Sequence, residues 1–69
     1  MFGYWREDKV NGGWRYAANW EVSAFVDNVN HDGYEYSVRN IITGHHFARG
    51  KAKTLAGAKR IASKIAKEN

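Results

Sequence analysis

Between Leu55 and Ala66 the apolar residues recur at intervals of three and four, and no other feature constrains the fold as tightly. Leu55, Ala58, Ile61, Ala62, Ile65 and Ala66 share a stripe roughly 140° wide on a helix. Residues 54–69 therefore predict one amphipathic helix that needs an apolar surface to lie on. Thr54 suits the N-cap, because its hydroxyl can accept from an orphan amide of the first turn, and the lysine-rich last turns suit the negative end of the helix dipole. Gly57 is expected on the exposed arc, at a cost of about 1 kcal/mol relative to Ala. Opposite the stripe, Lys59, Arg60, Lys64 and Lys67 form an arc with no acid before Glu68.

The preceding residues can supply that surface. Trp14, Tyr16, Ala18, Trp20, Val22, Ala24 and Val26 alternate with Arg15, Ala17, Asn19, Glu21, Ser23 and Phe25, the period-two signature of a half-buried strand. Asp-Asn-Val-Asn-His-Asp-Gly over 27–33 is dense in turn formers. A second strand follows, with Tyr34, Tyr36, Val38 and Ile42 on one face and Glu35, Ser37, Arg39 and Ile41 on the other. Setting Val26 opposite Tyr34 pairs Val22 with Val38 and Glu21 with Arg39, an opposite-charge cross-strand pair. Thr43-Gly44 marks the next turn. The third strand, 45–53, then points His46, Ala48 and Ala52 inward and Phe47, Arg49 and Lys51 outward, because the inverse choice buries two cations. Met1 to Val10 reads either as an edge strand, joined through the Asn11-Gly12-Gly13 turn, or as a loosely attached arm.

The prediction is an α+β fold: a three-stranded, or with the amino-terminal segment four-stranded, antiparallel sheet packed against one carboxy-terminal helix. The chain has 69 residues, which suits one small domain: an arm or edge strand over 1–13, the sheet over 14–53 and the helix over 54–69. A chain this short buries only about 60% of its unfolded surface. With no cysteine, no disulfide can staple it, so three Trp, four Tyr and three Phe are expected to build the core. Met1 suggests a complete small gene product. The chain lacks both an apolar run of spanning length and the layout of a signal peptide, which points to a soluble cytoplasmic protein with no membrane partner.

Gly50-Lys51-Ala52-Lys53-Thr54-Leu55, followed by Ala58-Lys59 and Ala62, resembles the carboxy-terminal part of double-stranded-RNA-binding domains. From Trp20 onward the chain is also similar to the small β-β-β-α domains of phage and mobile elements, such as the arm-binding domains of tyrosine integrases and the plant AP2 type. That likeness implies contact with nucleic acid through the open face of the sheet. The first helix of the RNA-binding family has no counterpart here, and its lysine pair before Ala-Lys is Leu55-Ala56, so Lys59 alone matches. The comparison thus implies DNA ahead of RNA. Likeness to small phage proteins also implies an alternative role, inhibition or adaptation of a host protein.

Chemistry-bearing constellations are thin. A zinc site without cysteine needs two or three of His31, His45 and His46 plus a carboxylate, yet adjacent His45 and His46 point to opposite faces of a strand. Asp27, Asp32 and Glu35 surround one loop with nothing to pair them about a substrate. Gly12-Gly13 precedes a strand rather than a helix, unlike a phosphate-binding loop. The chain is therefore expected to be a non-enzyme with no metal, cofactor or small-molecule substrate.

What remains is a surface. Phe25, Ile41 and Phe47, interleaved with Arg15, Arg39, Arg49 and Lys51, are expected on the sheet face away from the helix. Apolar groups on an open face need a partner, and aromatic platforms flanked by arginine can hold bases and phosphates. The net charge of +4 favours a polyanion. The expected binding set is Arg15, Phe25, Arg39, Phe47, Arg49 and Lys51 on the sheet with Lys59, Arg60, Lys64 and Lys67 on the helix. The same aromatic and arginine residues would also suit a protein partner.

Overall fold

A computed structural model describes residues 2–28 and 33–69. The elements run β1 (Trp5–Glu7), β2 (Trp14–Ala17), β3 (Val22–Asn28), β4 (Tyr34–Asn40), β5 (His46–Ala52) and α1 (Leu55–Glu68). All neighbours pair antiparallel in the order β1-β2-β3-β4-β5, a five-stranded meander. The α+β class and the terminal helix agree with the sequence reading; the strand number does not. The amino-terminal segment takes the edge-strand alternative, with Trp5 opposite Tyr16, and the one departure is that the long alternating run is a hairpin rather than one strand.

That hairpin turns without glycine or proline. Asn19 Oδ1 accepts from the amides of Glu21 at 2.8 Å and Val22 at 2.9 Å, while the Ala18 amide donates to the Val22 carbonyl at 3.0 Å. A short side-chain amide thus substitutes for the backbone in reversing the chain. Trp14 then faces Val26 and Tyr16 faces Ala24, so both remain on the face that the alternation assigns them. Trp20, placed on the same face by the sequence, sits in the turn and is 80% exposed.

The register between β3 and β4 is two residues away from the expected one. Val26 opposes Tyr36, Ala24 opposes Val38, and Arg39 faces Ser23 rather than Glu21. Glu21 meets the end of β4 instead: its carbonyl accepts from Ile41 at 2.7 Å and its Oε2 from Asn40 Nδ2 at 3.4 Å. Ile41 and Ile42 accordingly lie in an exposed turn, held by Asn40 Oδ1 accepting from the amides of Ile42 and Thr43. Residues 29–32 of the reversal expected over 27–33, His31 and Asp32 among them, lie outside the described residues.

A bulge between Val38 and Arg39 then corrects the third predicted strand. Ala48 and Ala52 face the helix side, and Arg49 and Lys51 the open side, as expected. The extra residue, however, sets His46 opposite Arg39 and lets Phe47 pack against the core. Phe47 is therefore not on the open face.

The core lies between one sheet face and the helix. Val22, Ala24, Val26 and Val38 are buried beneath Ala58, Ala62 and Ala66, whose single methyl groups let the helix backbone approach closely. Among the described residues Tyr16 is the one buried aromatic; Trp5, Tyr36 and Phe47 line the margin half-buried, so the aromatics ring the core instead of filling it. Ile61 is 38% exposed, unlike the other stripe residues. The buried stripe centres on Ala62, and Ile61 is turned about 100° from it. Thr54 caps α1 as predicted, its Oγ1 accepting from the Gly57 amide at 3.0 Å. Gly57 is half-buried, and a Cβ there would lie 2.9 Å from that oxygen. The glycine thus makes room for the cap it serves.

Candidate nucleic-acid interface

The sheet face away from the helix carries its side chains in lines that cross the strands. Arg6, Arg15, Phe25, Ser37 and Arg49 form the central line, one residue from each strand. At about 4.8 Å per strand it spans roughly 19 Å. Ala17, Ser23, Arg39 and His46 make a second line beside it. On the other side, Asp27, Glu35 and Lys51 make a third, with two carboxylates directly opposite each other. Pairing parity fixes these groupings, because residues two apart on a strand share a face.

Phe25 organises the centre. The Arg15 guanidinium lies 5.0 Å and that of Arg39 4.5 Å from its ring centroid. Each contact holds a long, otherwise mobile side chain near its working place, with about 0.5–1 kcal/mol of attraction at an exposed site. With two cations on it, this ring is a mount for arginines rather than a bare platform for a base. Between Phe25, Arg15, Arg39, Trp14, Asp27 and Asp8 lies a shallow groove of about 300 Å³.

Charge on this face is divided. Asp8 Oδ2 stands 3.7 Å from Arg15, and Glu35 Oε1 stands 3.7 Å from Arg49. Among the described residues no carboxylate lies within ion-pair distance of Arg6, Arg39 or Lys51. Asp8 also anchors the β1-β2 loop: its Oδ1 accepts from the Val10 and Asn11 amides, both at 3.1 Å, and its Oδ2 from Asn11 Nδ2 at 3.3 Å. The Asn11 amide, then the Asn11 side chain, the Val10 amide and the Arg15 charge hold its carboxyl below the usual range. These effects outweigh the opposing desolvation of the carboxyl.

The ten residues singled out in the sequence do not form one surface. Arg15, Phe25, Arg39, Arg49 and Lys51 share the open sheet face. Arg60, Lys64 and Lys67 are exposed on the helix, across the molecule. Lys59 belongs to neither set: its ammonium lies 5.7 Å from the Trp14 ring and 6.0 Å from that of Trp5, pinned at the helix edge. Phe47, in the core margin, meets the His45 ring edge-on at 5.1 Å. Arg6 and Tyr4 are open-face residues that the sequence reading left out, and His46, expected inward, is exposed on the open face opposite Arg39 because of the bulge. Alternation of Tyr4 and Arg6 with Trp5 was the available signal, and pairing Trp5 with the inner face would have found them. Among the described residues no three histidine, aspartate or glutamate side chains gather as metal ligands would, and no helix is long and apolar enough to cross a membrane.

No protein-family model matches this chain, and no curated protein or solved structure does either.

Proposed function

We propose that this protein binds nucleic acid through the open face of its sheet, without catalysing a reaction. The carrying observation is the pair of guanidinium groups mounted on Phe25, of which Arg39 has no carboxylate within 4 Å among the described residues. Planar guanidinium groups are matched to phosphate oxygens, and fixing them in advance lowers the ordering cost of binding. Arg6 and Arg49 extend the same line to both edges of the sheet. The Asp27 and Glu35 line bounds it, so a phosphate backbone would follow the arginines across the strands. The exposed helix arc of Arg60, Lys64 and Lys67 is too far around the molecule to contact the same stretch of backbone and acts as general positive charge.

Fluorescence anisotropy of labelled DNA oligonucleotides across a salt series tests this reading. Replacing both Arg15 and Arg39 with Ala should flatten the dependence of log affinity on log salt by about 0.7–0.9 for each phosphate released. Lys64→Ala with Lys67→Ala should leave that slope nearly intact. The opposite pattern would move the interface to the helix.

A second reading, capture of a protein partner, is favoured by different residues. Phe2, Trp20, Ile41 and Ile42 are exposed at the end of the sheet where the β2-β3 and β4-β5 turns meet, and Phe2 packs edge-on against Trp20 at 5.1 Å. Clustered exposed aromatics and aliphatics are the usual material of protein contacts.

A further inference from the structure

Within the open face, short side chains lie side by side in one place. Ala17 on β2 is directly opposite Ser23 on β3. The long side chains of Tyr4, Arg6, Arg15 and Ile41 surround them, leaving a pit of about 210 Å³. Ser23 is only 7% exposed and borders this pit, so its short side chain forms part of the floor. Arg6 and Arg15, at one rim, are directly opposite each other; like charges so placed repel, and Asp8 at 3.7 Å offsets Arg15 alone, while Arg6 has no carboxylate within 4 Å among the described residues. The opposite rim, Tyr4 and Ile41, is 47% and 50% exposed and apolar.

We infer that this pit seats one nucleotide of a single strand. The assignment rests on the reading of the open face as a nucleic-acid interface and adds the form of nucleic acid that it takes. An anion between Arg6 and Arg15, a polar group at the Ser23 hydroxyl and a flat body against Tyr4 and Ile41 together describe a phosphate, a sugar or base edge, and a base. A base pair is excluded because duplex bases stay stacked and out of reach; with its phosphate at the arginine rim, a splayed nucleotide puts only its base or sugar edge into a pit of about 210 Å³. A splayed nucleotide of a single strand can enter. The neighbouring phosphates then run toward Arg39 and Arg49 along the arginine line.

The test compares an eight-nucleotide labelled single strand with the corresponding duplex, using the whole chain, with inorganic phosphate as competitor. The single strand should bind at least tenfold more tightly. Ala17→Leu fills the pit without altering charge and should weaken single-strand binding about tenfold with an unchanged salt slope. Tyr4→Ala, at a position too exposed to decide folding, should weaken it about five- to 150-fold, the range of one base stacked on an aromatic ring. If Ala17→Leu does not fold, Tyr4→Ala decides alone. Equal binding of strand and duplex, or wild-type affinity in Tyr4→Ala, overturns the nucleotide seat. Loss on Arg15→Ala with Arg39→Ala would still leave the open-face reading standing in that case. Competition by inorganic phosphate at the same concentration as the oligonucleotide reduces the pit to an anion site and also overturns the assignment. No binding of either DNA by the wild-type protein removes both readings.

Discussion

Gly50 lies directly across from Tyr36 on the β4-β5 pair, and the tyrosine ring lies over it. A Cβ at position 50 would fall 2.6 Å from Tyr36 Cζ and as near to its hydroxyl oxygen, so Gly50→Ala cannot be accommodated with the ring in place. Two effects oppose each other. Alanine in a strand regains about 0.5–1 kcal/mol through the smaller entropy of its unfolded state. Tyr36 must swing away, and a tyrosine that buries 150–250 Å² contributes about 4–6 kcal/mol at 25 cal/mol/Å². Because the ring is at the core margin and only half-buried, losing a third of that contact costs about 1.5–2 kcal/mol. The net destabilisation is about 1 kcal/mol, which lowers the melting temperature by about 4–8 °C for a domain of this size. Thermal melts followed by near-UV circular dichroism read both the stability and the tyrosine environment. With Tyr36→Leu in the background, Gly50→Ala should become neutral or stabilising. A Gly50→Ala protein more stable than wild type, with an unchanged tyrosine signal, would refute the reasoning.

Two further outcomes are expected. Ile65→Asp places a charge beside the core cluster and should abolish the cooperative melt, whereas Ile61→Asp, at the exposed flank of the helix, should fold with a loss of about 1 kcal/mol or less, as surface changes usually do; equal loss in both would show that the helix is rotated from its described position. Asp8 contributes stability above its ordinary pKa of 3.8, because its carboxyl is depressed in the folded chain, and that contribution is lost as pH falls below this value. The protection of the Val10 and Asn11 amides, measured as exchange relative to the intrinsic rate at each pH, should therefore fall in acid, and Asp8→Asn should remove that pH dependence; protection that is flat with pH in the wild-type chain would count against the loop anchor.

The helix was the most legible element, since Thr54 and the three-four spacing state both its start and its buried side. Its breadth was less so: alanines, not isoleucines, occupy the centre, and apolar spacing cannot tell Ile61 from Ile65 when the stripe is wide. In the run from Trp14 to Val26 the faces were legible and the turn was not. Folding this stretch about Asn19 pairs even positions with even ones, so alternation passes through the turn without a flaw. The run's thirteen residues, against a usual strand of about 5–6, together with an asparagine near its middle, were the available signals. The register of β3 on β4 was inferred from one charge pair, Glu21 with Arg39, which is worth less than the packing of Val26 and Val38 that sets the true pairing. Parity survived the two-residue error, so Phe25, Arg39 and Arg15 were placed together correctly. Phe47 was misplaced by a bulge that no residue type announces. Arg6 and Tyr4 went unassigned because their alternation with Trp5 spans only three residues, short of a usual strand, and a loose arm fitted the same residues.

The meander has a kinetic consequence. Each strand hydrogen-bonds only with its neighbours in sequence, so no late segment must be threaded between two earlier ones, and loop-closure costs stay small throughout sheet formation. The sheet can grow hairpin by hairpin on the microsecond scale of such steps. Its apolar face is different, because Val22, Ala24 and Val38 are buried beneath Ala58, Ala62 and Ala66 of the helix. During synthesis a finished sheet therefore waits, uncovered, while the helix is translated and clears the ribosome. Protection of the nascent chain from protease should appear in one step when the last turns of α1 emerge, and not gradually with each added strand.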